Sequence, residues 1–153
     1  MPRNGNTIRG SNREDVLDGS AADETIDGRR GDDTIDGGLG NDTIFGGDGN
    51  DVITAGPGDD EATGGAGSDI FVIGPTTDTL IIKDFEDGID QIDVSAFNID
   101  PQDPFGGQYG GWLANVGNDT YLEFLALTTG DQVATIILED FDYTLIDISD
   151  YIF

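Results

Sequence analysis

Between Gly10 and Val72 the apolar positions follow neither helical spacing nor simple alternation; one recurs every nine residues, two places behind an acid. In that register the segment reads GSNREDVLD (10–18), GSAADETID (19–27), GRRGDDTID (28–36), GGLGNDTIF (37–45), GGDGNDVIT (46–54), AGPGDDEAT (55–63) and GGAGSDIFV (64–72), preceded by a degenerate copy, MPRNGNTIR (1–9). The eighth position is Leu17, Ile26, Ile35, Ile44, Ile53, Ala62 and Phe71, and the sixth is Asp15, Glu24, Asp33, Asp42, Asp51, Asp60 and Asp69. Glycine recurs at positions one, two and four, where it supplies backbone with φ > 0 at no Cβ penalty, and strand-compatible residues start at position seven. The pattern predicts a six-residue turn and a three-residue strand per unit. Such a strand cannot stand alone, but stacked on its neighbours at about 4.8 Å it places its single inward aliphatic side chain in a continuous column.

After Val72 glycine thins and the pattern changes. Segments 78–85, 90–97, 119–127 and 132–141 read as longer strands, separated by turn signals such as Glu86-Asp87-Gly88 and Thr129-Gly130-Asp131. The last two predict an antiparallel hairpin, and the Gly/Pro-rich stretch Pro101–Gly111 predicts a loop. The division expected is a repeat region over 1–72 and a C-terminal β cap over 73–153, which a solenoid needs because its last coil otherwise exposes an apolar end and unpaired strand edges.

Charge narrows the partners. With 32 acidic residues against 6 basic ones the net charge is −26, which makes nucleic acid and anionic membrane surfaces repelled partners and cations natural ones. All five arginines lie in the first thirty residues and Lys83 is the only lysine, so most carboxylates have no protein counter-charge. The absence of cysteine excludes thiolate metal sites, and the absence of histidine removes imidazole ligands and the commonest general base. What remains is oxygen-only ligation, which suits a hard cation; Ca²⁺ accepts 6–8 oxygens in a flexible shell. The tracts lack the twelve-residue spacing and terminal Glu of an EF-hand. No run approaches the roughly 18 apolar residues of a membrane span, and the start has no signal-peptide core. Without a cation, the same acidic, glycine-rich tract is expected to be disordered.

The repeats over residues 1–72 resemble those of the RTX family, the haemolysin-type calcium-binding nonapeptide proteins, which include serralysin-type proteases and modules of mannuronan epimerases. The resemblance implies an all-β fold, a right-handed parallel β-roll in which repeat n stacks on repeat n+2, followed by a C-terminal β cap with antiparallel strands. It implies about 3–5 Ca²⁺ ions between stacked turns, held by sixth-position carboxylates and by backbone carbonyls of the glycine turns. On this chain the carboxylates are Asp33, Asp42, Asp51, Asp60 and Asp69, with Asp15 and Glu24 as poorer members because Arg13 and Ala22 replace the fourth-position glycine. The turn glycines are Gly28, Gly37, Gly38, Gly40, Gly46, Gly47, Gly49, Gly56, Gly58, Gly64, Gly65 and Gly67. The pairs expected are Asp33/Asp51, Asp51/Asp69 and Asp42/Asp60, then Asp15/Asp33 and Glu24/Asp42, with Asn6/Glu24 weakest. Two carboxylates at that spacing repel by roughly 3–4 kcal/mol at an effective dielectric of about 20, and the ion converts the repulsion into ligation.

The family likeness further implies a secreted, extracellular, monomeric protein that folds as it meets calcium. The tail LIDISDYIF (145–153) is similar to the uncleaved C-terminal signals read by the type I secretion apparatus; it reads equally as the last strand of the cap. The rival class is a polysaccharide-binding module of an alginate-like specificity, with Tyr109, Trp112 and Tyr121 as stacking candidates. Catalysis is not expected: Asp119 and Glu123 could be named as a dyad, but nothing distinguishes them from the other acids.

Overall fold

The computed structural model describes residues 6–74, 76–97, 109–116, 119–126, 132–139 and 151–152. Within the repeats the strands are β1 (Asn6–Arg9), β2 (Val16–Ser20), β3 (Glu24–Arg30), β4 (Thr34–Gly38), β5 (Thr43–Asp48), β6 (Val52–Thr54), β7 (Asp59–Ala66) and β8 (Ile70–Val72). They are followed by β9 (Thr79–Ile82), β10 (Gln91–Asp93), a short 3₁₀ turn at Ser95–Phe97, β11 (Tyr109–Val116), β12 (Asp119–Ala126), β13 (Gln132–Leu138) and β14 (Tyr151–Ile152). Odd and even repeats build opposite sheets. One has the order β1-β3-β5-β7-β9-β13-β12-β11 and the other β14-β10-β8-β6-β4-β2. All pairings within the repeats are parallel, as an all-β parallel roll requires.

Register aligns the eighth positions. Ile8, Ile26, Ile44, Ala62, Ile82 and Leu138 lie side by side in one sheet. Leu17, Ile35, Ile53, Phe71 and Ile92 do so in the other. From Ile26 and Ile35 onward every described member of these columns is 0% exposed, whereas Ile8 and Leu17 at the first coil are only partly buried. At roughly 25 cal/mol per Å² of apolar surface removed from water, this column is the main non-metal stabilisation of the roll. Phe85 lies against Phe71, with ring centroids 6.4 Å apart.

Several strands are longer than the three residues expected. In the first sheet β3, β5 and β7 run on through the first positions of the next repeat, where pairing between coils continues into the turn, as in Gly47↔Gly65. Stacking also continues past Val72: β9 pairs with β7, and β10 with β8. Segments 78–85 and 90–97 form shorter strands than expected, and β12 pairs antiparallel with β13. β11, antiparallel to β12, begins at Tyr109 inside the stretch read as a loop. β13 also joins β9 in parallel, which carries the repeat sheet into the C-terminal strands. Most of Pro101–Gly111 and of the 145–153 tail lies outside the described residues, as do the side chains of Tyr109, Trp112, Tyr121 and Glu123.

Candidate metal centre

Each turn carries the chain over one edge of the roll between the sheets. Positions two and four take left-handed backbone, as at Gly38 (φ 91°), Gly40 (φ 120°), Gly47 (φ 123°) and Gly49 (φ 149°). Position one does not: Gly28, Gly37, Gly46 and Gly64 are absent from the positive-φ residues. This corrects the expectation that glycine serves conformation at all three positions. At position one it serves space. A Cβ on Gly46 would stand 2.4 Å from Asp51 Oδ2 and 2.6 Å from the Gly64 carbonyl oxygen. A Cβ on Gly28 would stand 2.5 Å from both Asp33 Oδ2 and the Gly46 carbonyl, and one on Gly37 would stand 2.9 Å from Asp42 Oδ2 and 2.4 Å from the Ala55 carbonyl. Asp33, Asp42 and Asp51 thus each share a small space with a carbonyl oxygen of the following coil.

Asp33, Asp42, Asp51, Asp60 and Asp69 are all at most 2% exposed. Their two oxygens have different fates. Oδ1 accepts the backbone N–H of the sixth-position residue eighteen places earlier: Asp15 N–H to Asp33, Glu24 to Asp42, Asp33 to Asp51, Asp42 to Asp60 (2.8 Å each) and Asp51 to Asp69 (2.9 Å). Oδ2 is buried, and in all five residues no hydrogen bond reaches it. A buried, unpaired carboxylate oxygen costs several kcal/mol, and carbonyl oxygens beside it cannot donate a proton. A hard cation is what fits: the donors are all oxygens, they repel without it, and the glycines leave the room. Among the described residues no three carboxylates gather at one point, so any shell needs further oxygens, which carbonyls or water can supply.

Burial pushes the carboxyls of Asp33, Asp42 and Asp51 above the usual carboxylate range; the N–H bond at Oδ1 opposes the shift and neighbouring acids add to it. The same causes push Asp60 to about 7 and Asp69 to about 6. Asp15 and Glu24 go the other way. Ser11 gives Asp15 Oδ2 both its N–H (2.6 Å) and its hydroxyl (2.7 Å), and the Ser20 hydroxyl and N–H grip Glu24, so both acids are held below their ordinary values. Asn6 reaches Glu24 Oε1 only at 3.4 Å.

Two acids that the repeat pattern did not single out close the last turns. Asp90 continues the series Asp15, Asp33, Asp51, Asp69: its Oδ1 accepts the Asp69 N–H at 3.0 Å and its Oδ2 the Glu86 N–H at 2.9 Å. Asp84 accepts the N–H groups of Gly64 and Gly65, one on each oxygen, at 2.9 Å. Asp90 has a local signal, since IDQID (89–93) repeats the spacing of an acid two places before an inward Ile92. It was hidden because its offset from Asp69 is 21 rather than 18.

The family comparison agrees with this geometry. The profile of the RTX calcium-binding nonapeptide repeat matches in four copies, over residues 4–35, 18–53, 36–71 and 45–80. The chain belongs to the RTX calcium-binding nonapeptide repeat family. Among solved structures, this RTX chain is similar to the R3 subunit of the AlgE6 mannuronan C5-epimerase of Azotobacter vinelandii. The identity is 26% and the TM-score 0.60, over 98% of this chain and 83% of that one. It is also similar in fold to the R2 subunit of the same epimerase, with 22% identity and a TM-score of 0.53 over 95% and 91%. No curated protein matches the chain at a significant level. No described helix of this RTX chain is long and apolar enough to cross a membrane.

Proposed function

We propose that this RTX chain is a non-catalytic module that folds when calcium binds between its stacked turns outside the cell, and that the folded roll stabilises the protein carrying it. The observation that supports this reading is the set of five buried Oδ2 atoms without a donor, one for each of Asp33, Asp42, Asp51, Asp60 and Asp69. Each would help to hold an ion with carbonyl oxygens of adjacent coils, and the bound ion supplies the positive charge that lets the buried carboxylates stay ionised. Residues 1–72 act as the calcium-binding part and 73–153 as the cap. Three to five ions are expected. Each ion that binds only the folded form adds about 1.4 kcal/mol at tenfold over its Kd, so together they add several kcal/mol.

Extracellular calcium modules bind with Kd on the order of 10⁻⁴–10⁻³ M, far above cytosolic free calcium, so the chain stays unfolded inside the cell and folds outside. Far-UV circular dichroism during a calcium titration tests the reading: a β signal should grow with calcium, and a signal already complete in excess chelator would overturn it. Export through a type I apparatus is tested by deleting 145–153. Lost export with calcium-induced folding retained supports a signal; retained export removes it.

The likeness to a subunit of a mannuronan epimerase favours a second role, as the polysaccharide-binding module of an extracellular carbohydrate-active enzyme. Affinity electrophoresis in acidic and neutral polysaccharide gels, with calcium present, decides it: unretarded migration in both rejects the role.

A further inference from the structure

A second series of side chains climbs both edges of the roll, at repeat position five. On one edge Asp23 Oδ1 accepts the N–H of Asn41 (3.1 Å), and Asn41 Oδ1 accepts the N–H of Asp59 (3.3 Å). On the other, Asp32 Oδ1 accepts the N–H of Asn50 (2.9 Å), and Asn50 Oδ1 accepts the N–H of Ser68 (2.8 Å). Each bond joins residues eighteen apart, as the sixth-position bonds do, but in the opposite direction. At position six the N–H of a coil donates to the carboxylate of the coil after it. At position five it donates to the side chain of the coil before it. Asn50 and Asp51 show the result: two successive peptide N–H groups are gripped from opposite sides, by Asp32 below and Asp69 above.

We infer that Asp23, Asp32, Asn41 and Asn50 are positioning residues for the calcium sites, setting the height at which each sixth-position carboxylate meets the carbonyls of the next coil, and that each contributes an acceptor oxygen rather than a charge. The inference rests on the calcium reading above. Three observations carry it. The four bonds lie at the exposed rim, outside the apolar column, so core packing does not explain them. Asp and Asn interchange along both series, which an acceptor role tolerates and a charge role does not. The neighbouring residue in each case is the carboxylate whose Oδ2 lacks a donor or, at Asp23, the Glu24 that replaces it.

The test is a calcium titration of the full chain, followed by far-UV circular dichroism and by calorimetry, with wild type, Asp32→Asn, Asp32→Ala, Asn50→Asp and Asn50→Ala compared. Loss of one hydrogen bond raises the calcium midpoint about fivefold in the two alanine variants. The two variants that keep an acceptor oxygen stay within about twofold of wild type. Asp32→Asn as damaging as Asp32→Ala would make the charge the active property and overturn the inference, as would alanine variants with wild-type midpoints. If Asp32→Ala fails to fold at any calcium concentration, the Asn50 pair decides by the same criterion. A wild-type chain that ignores calcium is a separate result and removes the underlying reading instead.

Discussion

Asp15 and Asp33 occupy the same repeat position in the same column, one coil apart, yet their chemistry is opposite. Ser11 at position two of the earlier repeat satisfies Asp15 Oδ2 from its hydroxyl and its N–H, and on the other edge Ser20 donates its hydroxyl to Glu24 Oε1 and its N–H to Oε2. In the coils that follow, position two is Arg29, Gly38, Gly47, Gly56 and Gly65, and the corresponding Oδ2 atoms have no donor. At the far end Asp84 and Asp90 are again satisfied, by backbone N–H groups. Among the described residues, the acids at the two ends of the series therefore meet protein donors, while in the middle five Oδ2 atoms meet none. A position-two hydroxyl turns a potential metal ligand into a structural acceptor.

The contrast breaks most readily at Asp51, which is bonded to the coils on both sides. Asp51→Ala should raise the calcium midpoint of the β signal by tenfold or more, and Asp15→Ala by less than about twofold. Equal shifts would erase the distinction between end and middle.

A second test uses pH in the absence of calcium. The middle carboxyls are raised above their unfolded values, so the folded form binds more protons than the unfolded form between about pH 4 and the folded values, about 6 for Asp69 and about 7 for Asp60. Stability of the metal-free roll therefore rises as pH falls through that window. Circular dichroism in chelator should show more β structure at pH 5 than at pH 7.5. In calcium the dependence reverses, because protons compete for the same oxygens.

A smaller effect is expected at Arg29, the only described non-glycine residue with positive φ (83°). Its left-handed backbone costs about 1 kcal/mol, and its contact with Asp27, at 4.0 Å between exposed groups, returns little. Arg29→Gly should raise the calcium-loaded melting temperature by about 3 °C. Smallest of all, Ser11→Gly removes one of the two Ser11 bonds to Asp15 and should move the calcium midpoint by less than about twofold. If it also adds a bound ion by calorimetry, the position-two hydroxyl is what keeps calcium from that turn.

The fold was legible to the extent that periodicity encodes it. Ile26, Ile35, Ile44 and Ile53 reveal the column, and the acids two places earlier reveal its edges. The roles within the turn were less legible, because three glycines look alike in sequence. Only the folded backbone distinguishes Gly47, needed for its φ, from Gly46, needed for the room beside Asp51. Asp84 and Asp90 stayed hidden because they act once the nine-residue phase has been lost. The parallel pairing of β13 with β9 was hidden for another reason: it joins segments some fifty residues apart, and no local pattern records a partner that distant in the chain.

The two oppositely directed edge ladders and the parallel sheets tie each coil only to the coil before and the coil after. Pulled along its axis, such an object gives way from an end, one coil at a time. Each eighteen-residue coil accounts for about 4.8 Å of height but pays out roughly 60 Å of extended chain, so stretching should produce a staircase with that step. Calcium would then set the force of the middle steps and leave the first and last unchanged.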